Sequence, residues 1–116
     1  MMARIISIHE YRLKDGVSRQ QFEAAVENAR QAGLFSLPGL IDHHFIRRIR
    51  GTRQVEFAAI WIYETRESWE KLWGKADQPL KKEHHPEKWK IWEDEILSPL
   101  LAQDPDRIDY AAYEEF

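Results

Sequence analysis

Two stretches of alternating residues, 4–13 and 55–64, carry apolar side chains on both of their faces. Successive side chains of a strand point to opposite sides of its sheet, so both sides of these strands have to be buried. In the first, Ile5, Ser7, His9, Tyr11 and Leu13 share one face and Ile6, Ile8, Glu10 and Arg12 the other. In the second, Val55, Phe57, Ala59, Trp61 and Tyr63 oppose Ala58, Ile60 and Ile62, the pattern of a central strand. Between them, residues 40–50 alternate Leu40, Asp42, His44, Ile46 and Arg48 with Ile41, His43, Phe45, Arg47 and Ile49. Gly51-Thr52-Arg53 supplies the hairpin turn into the next strand. Residues 107–116 read as a final strand, with Ile108, Tyr110 and Ala112 against Ala111 and Tyr113.

Helical periodicity fills the gaps. After the turn signal Lys14-Asp15-Gly16, Ser18 caps a helix with Gln21 at capping-box spacing, and Phe22, Ala25, Val26 and Ala29 recur on one face. Gly33 suits the end of that helix. Thr65 caps a second helix, whose Trp69, Leu72 and Trp73 share a face before Gly74. The pattern weakens over 75–85, which predicts at most one further helical turn. Pro86 suits the first position of another helix, with Trp89, Trp92 and Ile96 as its apolar stripe, extended by Leu97, Leu100 and Leu101 around Pro99. Asp104-Pro105-Asp106 is a turn. The order is β-α-β-β-α-β with an extra helical segment after the second helix: an α+β, ferredoxin-like single domain over 1–116 built on an antiparallel four-stranded sheet. Its helices can cover one sheet face only. A second copy of the chain is the simplest cover for the other, which predicts a homodimer.

A chain of 116 residues buries a core without disulfide or metal staples. With 17 basic against 20 acidic residues the net charge is -3, and the basic residues are spread along the chain, so neither nucleic acid nor an anionic membrane is an expected partner. The one basic cluster, Arg47, Arg48, Arg50 and Arg53, reads as the solvated rim of the hairpin. The absence of cysteine excludes disulfides, thiolate catalysis and Cys-ligated zinc or iron–sulfur clusters, and suits a reducing compartment. Met1-Met2-Ala3-Arg4 runs directly into a strand pattern and no apolar run reaches bilayer length, so the expectation is a cytoplasmic protein. Dinucleotide, P-loop, serine-hydrolase and zincin motifs are missing.

Candidate chemistry rests on histidine and tryptophan. His9 sits mid-strand between Ser7 and Tyr11, and imidazole exchanges protons near neutral pH, which makes it the leading catalytic candidate. His43 and His44 point to opposite faces, so at most one joins His9; His44 with Asp42 has the spacing of an oriented acid-base pair. His84 and His85 precede Pro86, where a histidine also serves as a helix approach. No metal-ligand spacing lies within one element, so no metal site is expected. The chain has five tryptophans, each bulky and bearing an N–H to satisfy, and Trp61 in a central strand is placed to wall a cavity.

The stretches Ile8-His9-Glu10-Tyr11-Arg12-Leu13-Lys14-Asp15-Gly16 and Ile60-Trp61-Ile62-Tyr63-Glu64 resemble the strand motifs of NIPSNAP-like proteins. With the element order, they make the chain similar to the dimeric α+β barrel superfamily, in which two ferredoxin-like subunits pack sheet against sheet. A second similar branch is the antibiotic-biosynthesis-type monooxygenases, including heme-degrading members that use an Asn in the first strand, a Trp ending the second helix and a later His. Here His9 stands at the Asn position, which is a departure. Trp73 matches the Trp, and His84 or His85 falls near the expected His, with Leu80 in the apolar place between. The resemblance implies a small-molecule-binding barrel and a cofactor-independent monooxygenase for a small aromatic or polyketide-like substrate. His9 would be catalytic, and Tyr11, His44, Trp61, Trp73, His84 and His85 would contact substrate. The alternative is a non-catalytic ligand-binding or assembly module of NIPSNAP-like type; a heme-binding or heme-degrading protein is the third reading.

Overall fold

The computed structural model describes residues 3–116, so Met1 and Met2, which precede the first strand pattern in the sequence, lie outside it. In chain order come β1 (Ile5–Tyr11), α1 (Arg19–Gln31), β2 (Leu40–Arg47), β3 (Phe57–Tyr63) and α2 (Arg66–Trp73). A two-residue hairpin follows, β4 (Gly74–Lys75) and β5 (Gln78–Pro79), then a 3₁₀ turn, Lys82–His84. Next is α3 (Glu87–Ile91), which runs into a π-helical stretch, Trp92–Leu97. A second 3₁₀ turn, Pro105–Arg107, leads to β6 (Tyr110–Glu114). The four long strands form one antiparallel sheet in the order β2-β3-β1-β6, the ferredoxin-like arrangement read from the sequence. Among the described residues, no helix is long and apolar enough to cross a membrane.

The local signals behave as their chemistry requires. Ser18 Oγ accepts from Gln21 N at 3.1 Å while Gln21 Oε1 accepts from Ser18 N at 2.7 Å, closing the capping box. Phe22, Val26 and Ala29 of α1 pack onto Tyr11, Phe57, Ala59 and Trp61 of the sheet, and Leu72, Trp89, Trp92 and Leu97 complete the core. Among the described residues no helix covers the opposite sheet face. There Ile6 pairs with Ile62 and Tyr113, and Ile8 with Ile60 and Ala111, all partly or fully open to solvent.

Three expectations are corrected. Residues 75–85 hold the β4-β5 hairpin as well as a single 3₁₀ turn, because Gly74 leaves α2 at φ +88° and the chain folds straight back, Leu80 N–H donating to Trp73 O at 2.8 Å. In β2, a bulge at Ile41 lets Leu40 pair with Tyr63 and Asp42 with Ile62, so Leu40 joins the face of His43 and Phe45 rather than that of His44. Pro86 precedes α3 as its N-cap instead of occupying its first turn.

Candidate functional site

The side chains that β1 turns toward the helices end in a cavity of about 420 Å³. Its floor is Ser7 and His9, and β6 adds Tyr110 and Ala112 beside them. Trp69 and Trp73 of α2 and Trp89 of α3 make the aromatic walls, while Pro79 and Leu80 of the small hairpin close the outside. A flat apolar body fits such walls, and the few polar groups among them decide its orientation.

His9 lies among rings: its centroid is 5.7 Å from that of Tyr110, 5.8 Å from Trp89 and 6.0 Å from Trp61. Its Nε2 is 3.2 Å from Ser7 Oγ, whereas its Nδ1 is buried with no hydrogen-bond partner. An imidazolium needs acceptors for both N–H groups, and among the described residues only Nε2 has one. Burial accordingly pushes the His9 imidazole down to about 4. At neutral pH this side chain is an uncharged hydrogen-bonding group. His85 presents its ring edge-on to Trp73 at 5.1 Å, and burial lowers its proton affinity too.

The polar wall opposite is acidic. Glu93 is only 9% exposed yet borders the cavity, and burial, then the nearby Asp106 charge, push its carboxyl up to about 7. Lys82 also reaches the cavity, but its ammonium is held by Asp94 at 2.6 Å and Asp106 at 3.2 Å. Trp73 Nε1 donates to Tyr63 Oη at 3.2 Å and so fixes the indole face toward the cavity.

Of the residues singled out in the sequence, His9, Trp73 and His85 line one cavity. Tyr11 and Trp61 do not. Both are fully buried one layer behind it, and the Tyr11 hydroxyl and the Trp61 and Trp92 indole N–H groups have no hydrogen-bond partner. His44 does form its pair with Asp42, at 3.2 Å, but on the opposite, exposed sheet face, because strand alternation sends it away from His9. Its neighbour His43 shares the His9 face, stacked on Trp61 at 5.7 Å and accepting from Arg30 Nε at 3.3 Å. His84 is exposed beside Glu83, with its nearest carboxylate oxygen 3.6 Å away, and lies outside the cavity.

Glu93, Lys82, Asp106, Tyr63 and Tyr110 went unrecognised as cavity residues. For Glu93 a signal was present: Trp89, Trp92, Glu93 and Ile96 stand at i, i+3, i+4 and i+7, so spacing alone puts this carboxyl on the apolar helix face. Among the described residues no group of three or more His, Asp or Glu side chains is placed to hold a metal ion.

No protein-family model matches the chain, and no curated protein matches it. Solved structures do. A dabb family protein with a ferredoxin-like fold from Mesorhizobium loti is 12% identical at a TM-score of 0.67, with 99% of each chain covered. A putative antibiotic biosynthesis monooxygenase from Bordetella bronchiseptica is 18% identical at 0.64, again over 99% of each chain. SnoaB, a cofactor-independent oxygenase from Streptomyces nogalater, is 13% identical at 0.57, covering 98% of this chain and 94% of that one. Other matches are described as dimeric ferredoxin-like proteins. At these identities the likeness establishes the fold alone, a ferredoxin-like α+β arrangement.

Proposed function

We propose that this chain is a homodimeric small-molecule-binding protein that oxygenates an electron-rich hydroxyaromatic compound without a bound cofactor. The observation that carries the proposal is the cavity of about 420 Å³, walled by Trp69, Trp73, Trp89 and Tyr110 with the Ser7–His9 pair at its floor. The aromatic walls favour a flat ring system, and a neutral His9 offers a ring hydroxyl a hydrogen bond without demanding a charge. Oxygenation without a metal or flavin is open to substrates that donate their own electrons. A deprotonated phenol with an activated CH₂ passes an electron to O₂, the radical pair joins as a peroxide, and loss of water completes the change of CH₂ and O₂ into C=O and H₂O. The likeness to a cofactor-independent oxygenase and to a monooxygenase supports this reading at the level of fold. The uncovered apolar sheet face and the dimeric ferredoxin-like matches support the dimer.

Oxygen uptake by the purified protein with a hydroquinone-type substrate tests the proposal. Turnover that His9→Ala lowers at least roughly tenfold, the scale of one lost polar contact to a reacting group, supports it. An unchanged rate in the variant removes His9 from the reaction. Saturable binding with no oxygen uptake identifies a ligand-binding module instead.

A further inference from the structure

We infer that the Glu93 carboxylate is the catalytic base of this cavity, receiving the proton of a bound hydroxyaromatic while Ser7 and His9 orient the ring. The inference rests on the binding reading above and adds a residue and a substrate requirement: the ligand must enter as a neutral hydrogen-bond donor.

Backbone geometry is the first support. Ser98 N–H donates to Glu93 O at 3.0 Å, an i to i+5 bond, so the helix after α3 widens by one residue at this point. Trp89, Trp92 and Glu93 stand at i, i+3 and i+4, so helical spacing turns all three to one face. There Trp92 is fully buried and Glu93, at 9% exposure, borders the cavity beside Trp89. π-turns of this kind recur at functional sites.

Charge is the second. Burying a carboxylate costs several kcal/mol unless a cation or hydrogen-bond donors compensate it, on the order of the penalty for any buried ion. Of the two lysines that line the cavity, Lys82 is bound between Asp94 and Asp106, and among the described residues no ion pair reaches Glu93. The groups facing it are Asp106 and Asp94, which repel its charge, Lys82 and the Trp89 indole N–H, which partly offset them, and the uncharged Tyr11 across the core. The cavity's histidines, His9 and His85, are neutral, so neither supplies a countercharge. A solely structural role would be met as well by glutamine and without this cost.

Division of labour follows. A base works best when its proton affinity matches the working pH. His9, held down to about 4, binds a proton too weakly, whereas Glu93, pushed up to about 7, can take one and return it. The proton passes from the substrate oxygen to a Glu93 carboxylate oxygen, and the O–H electron pair stays on the ring, which then reduces O₂. Glu93 returns the proton to the water that leaves in the peroxide collapse, so it ends the cycle unprotonated.

The test uses 2-naphthol and its methyl ether, 2-methoxynaphthalene, titrated calorimetrically into the full-length protein at pH 8. The two differ in one donor hydrogen. A charge-assisted bond to Glu93 predicts naphthol bound roughly tenfold more tightly than the ether, with the preference lost in Glu93→Gln and partly kept in Glu93→Asp. Carbon-13 carboxyl NMR of the wild-type protein gives a readout independent of any variant's folding: the Glu93 resonance should titrate near neutrality and shift on adding naphthol but not the ether. Equal affinity for the two ligands, or a naphthol preference that survives in Glu93→Gln, or a Glu93 resonance indifferent to naphthol, overturns the role of Glu93 and leaves the cavity a binding site. Failure of both ligands to bind overturns the binding reading itself, and the Glu93 assignment with it.

Discussion

Trp73, the last residue of α2, donates its indole N–H to the hydroxyl of Tyr63, the last residue of β3, across 3.2 Å at the cavity wall. Tyr63 is 2% exposed, and burial raises its phenol well above the ordinary tyrosine range, so the hydroxyl remains neutral and available as acceptor at any physiological pH. Tyr63→Phe leaves the indole donor facing the cavity unpaired. The expected loss is about 1 kcal/mol, a fall in melting temperature of roughly 3–6 °C, accompanied by weaker naphthol binding as Trp73 loosens. A melting curve that coincides with the wild type shows that the bond contributes nothing.

His9 and Glu93 pull stability in opposite directions with pH. His9 falls from its usual 6.5 to about 4 on folding, so its contribution is complete above 6.5 and drains away as pH drops toward 4. His43 and His85, also pushed down by burial, act in the same sense. Glu93 rises from 4.5 to about 7, so the folded state binds the extra proton and gains stability as pH drops from 7 toward 4.5. Each effect is worth up to about 3 kcal/mol from a shift of this size. Urea unfolding between pH 4.5 and 7 should therefore show a steeper acid loss in Glu93→Gln than in wild type, and a shallower or reversed one in His9→Leu. Three parallel curves count against both environments.

Gly74 holds the hairpin wall in place through close approach as well as conformation. A Cβ there would stand 2.5 Å from Leu80 N and 2.7 Å from Gln78 O, at a φ of +88°. Gly16 has the same φ with open space around it. Gly74→Ala should destabilise by about 1–3 kcal/mol and impair ligand binding, while Gly16→Ala shows the backbone cost alone. Equal melting temperatures for the two variants mean that the hairpin yields without strain.

The uncovered sheet face is where the proposed dimer forms. Ile60 lies at its centre, paired with Ile8 on one side and His44 on the other. Light scattering at micromolar concentration should give twice the chain mass for wild type and the single-chain mass for Ile60→Asp, because a buried unpaired carboxylate removes several kcal/mol from an apolar interface. A stable, folded wild-type monomer removes the dimer.

Much of this architecture was legible along the chain because it depends on period. Alternation at Ile5 to Leu13 and at Val55 to Tyr63, the Ser18–Gln21 cap and Gly33 and Gly74 at helix ends are local preferences that the fold does not override. They established the β-α-β-β-α-β order, the two-faced sheet and the position of His9 on its inner side. The site depended on what periodicity cannot carry. The bulge at Ile41 re-aims the start of β2, and packing of Trp89 and Trp73 beside Trp61 leaves Tyr11 and Trp61 in a second layer. Sequence alone thus determined which face each strand residue takes, a matter of backbone geometry over a few residues. Only the tertiary structure decided which of those residues meet in one cavity and which protonation state each holds there, since both depend on burial among groups distant in the chain.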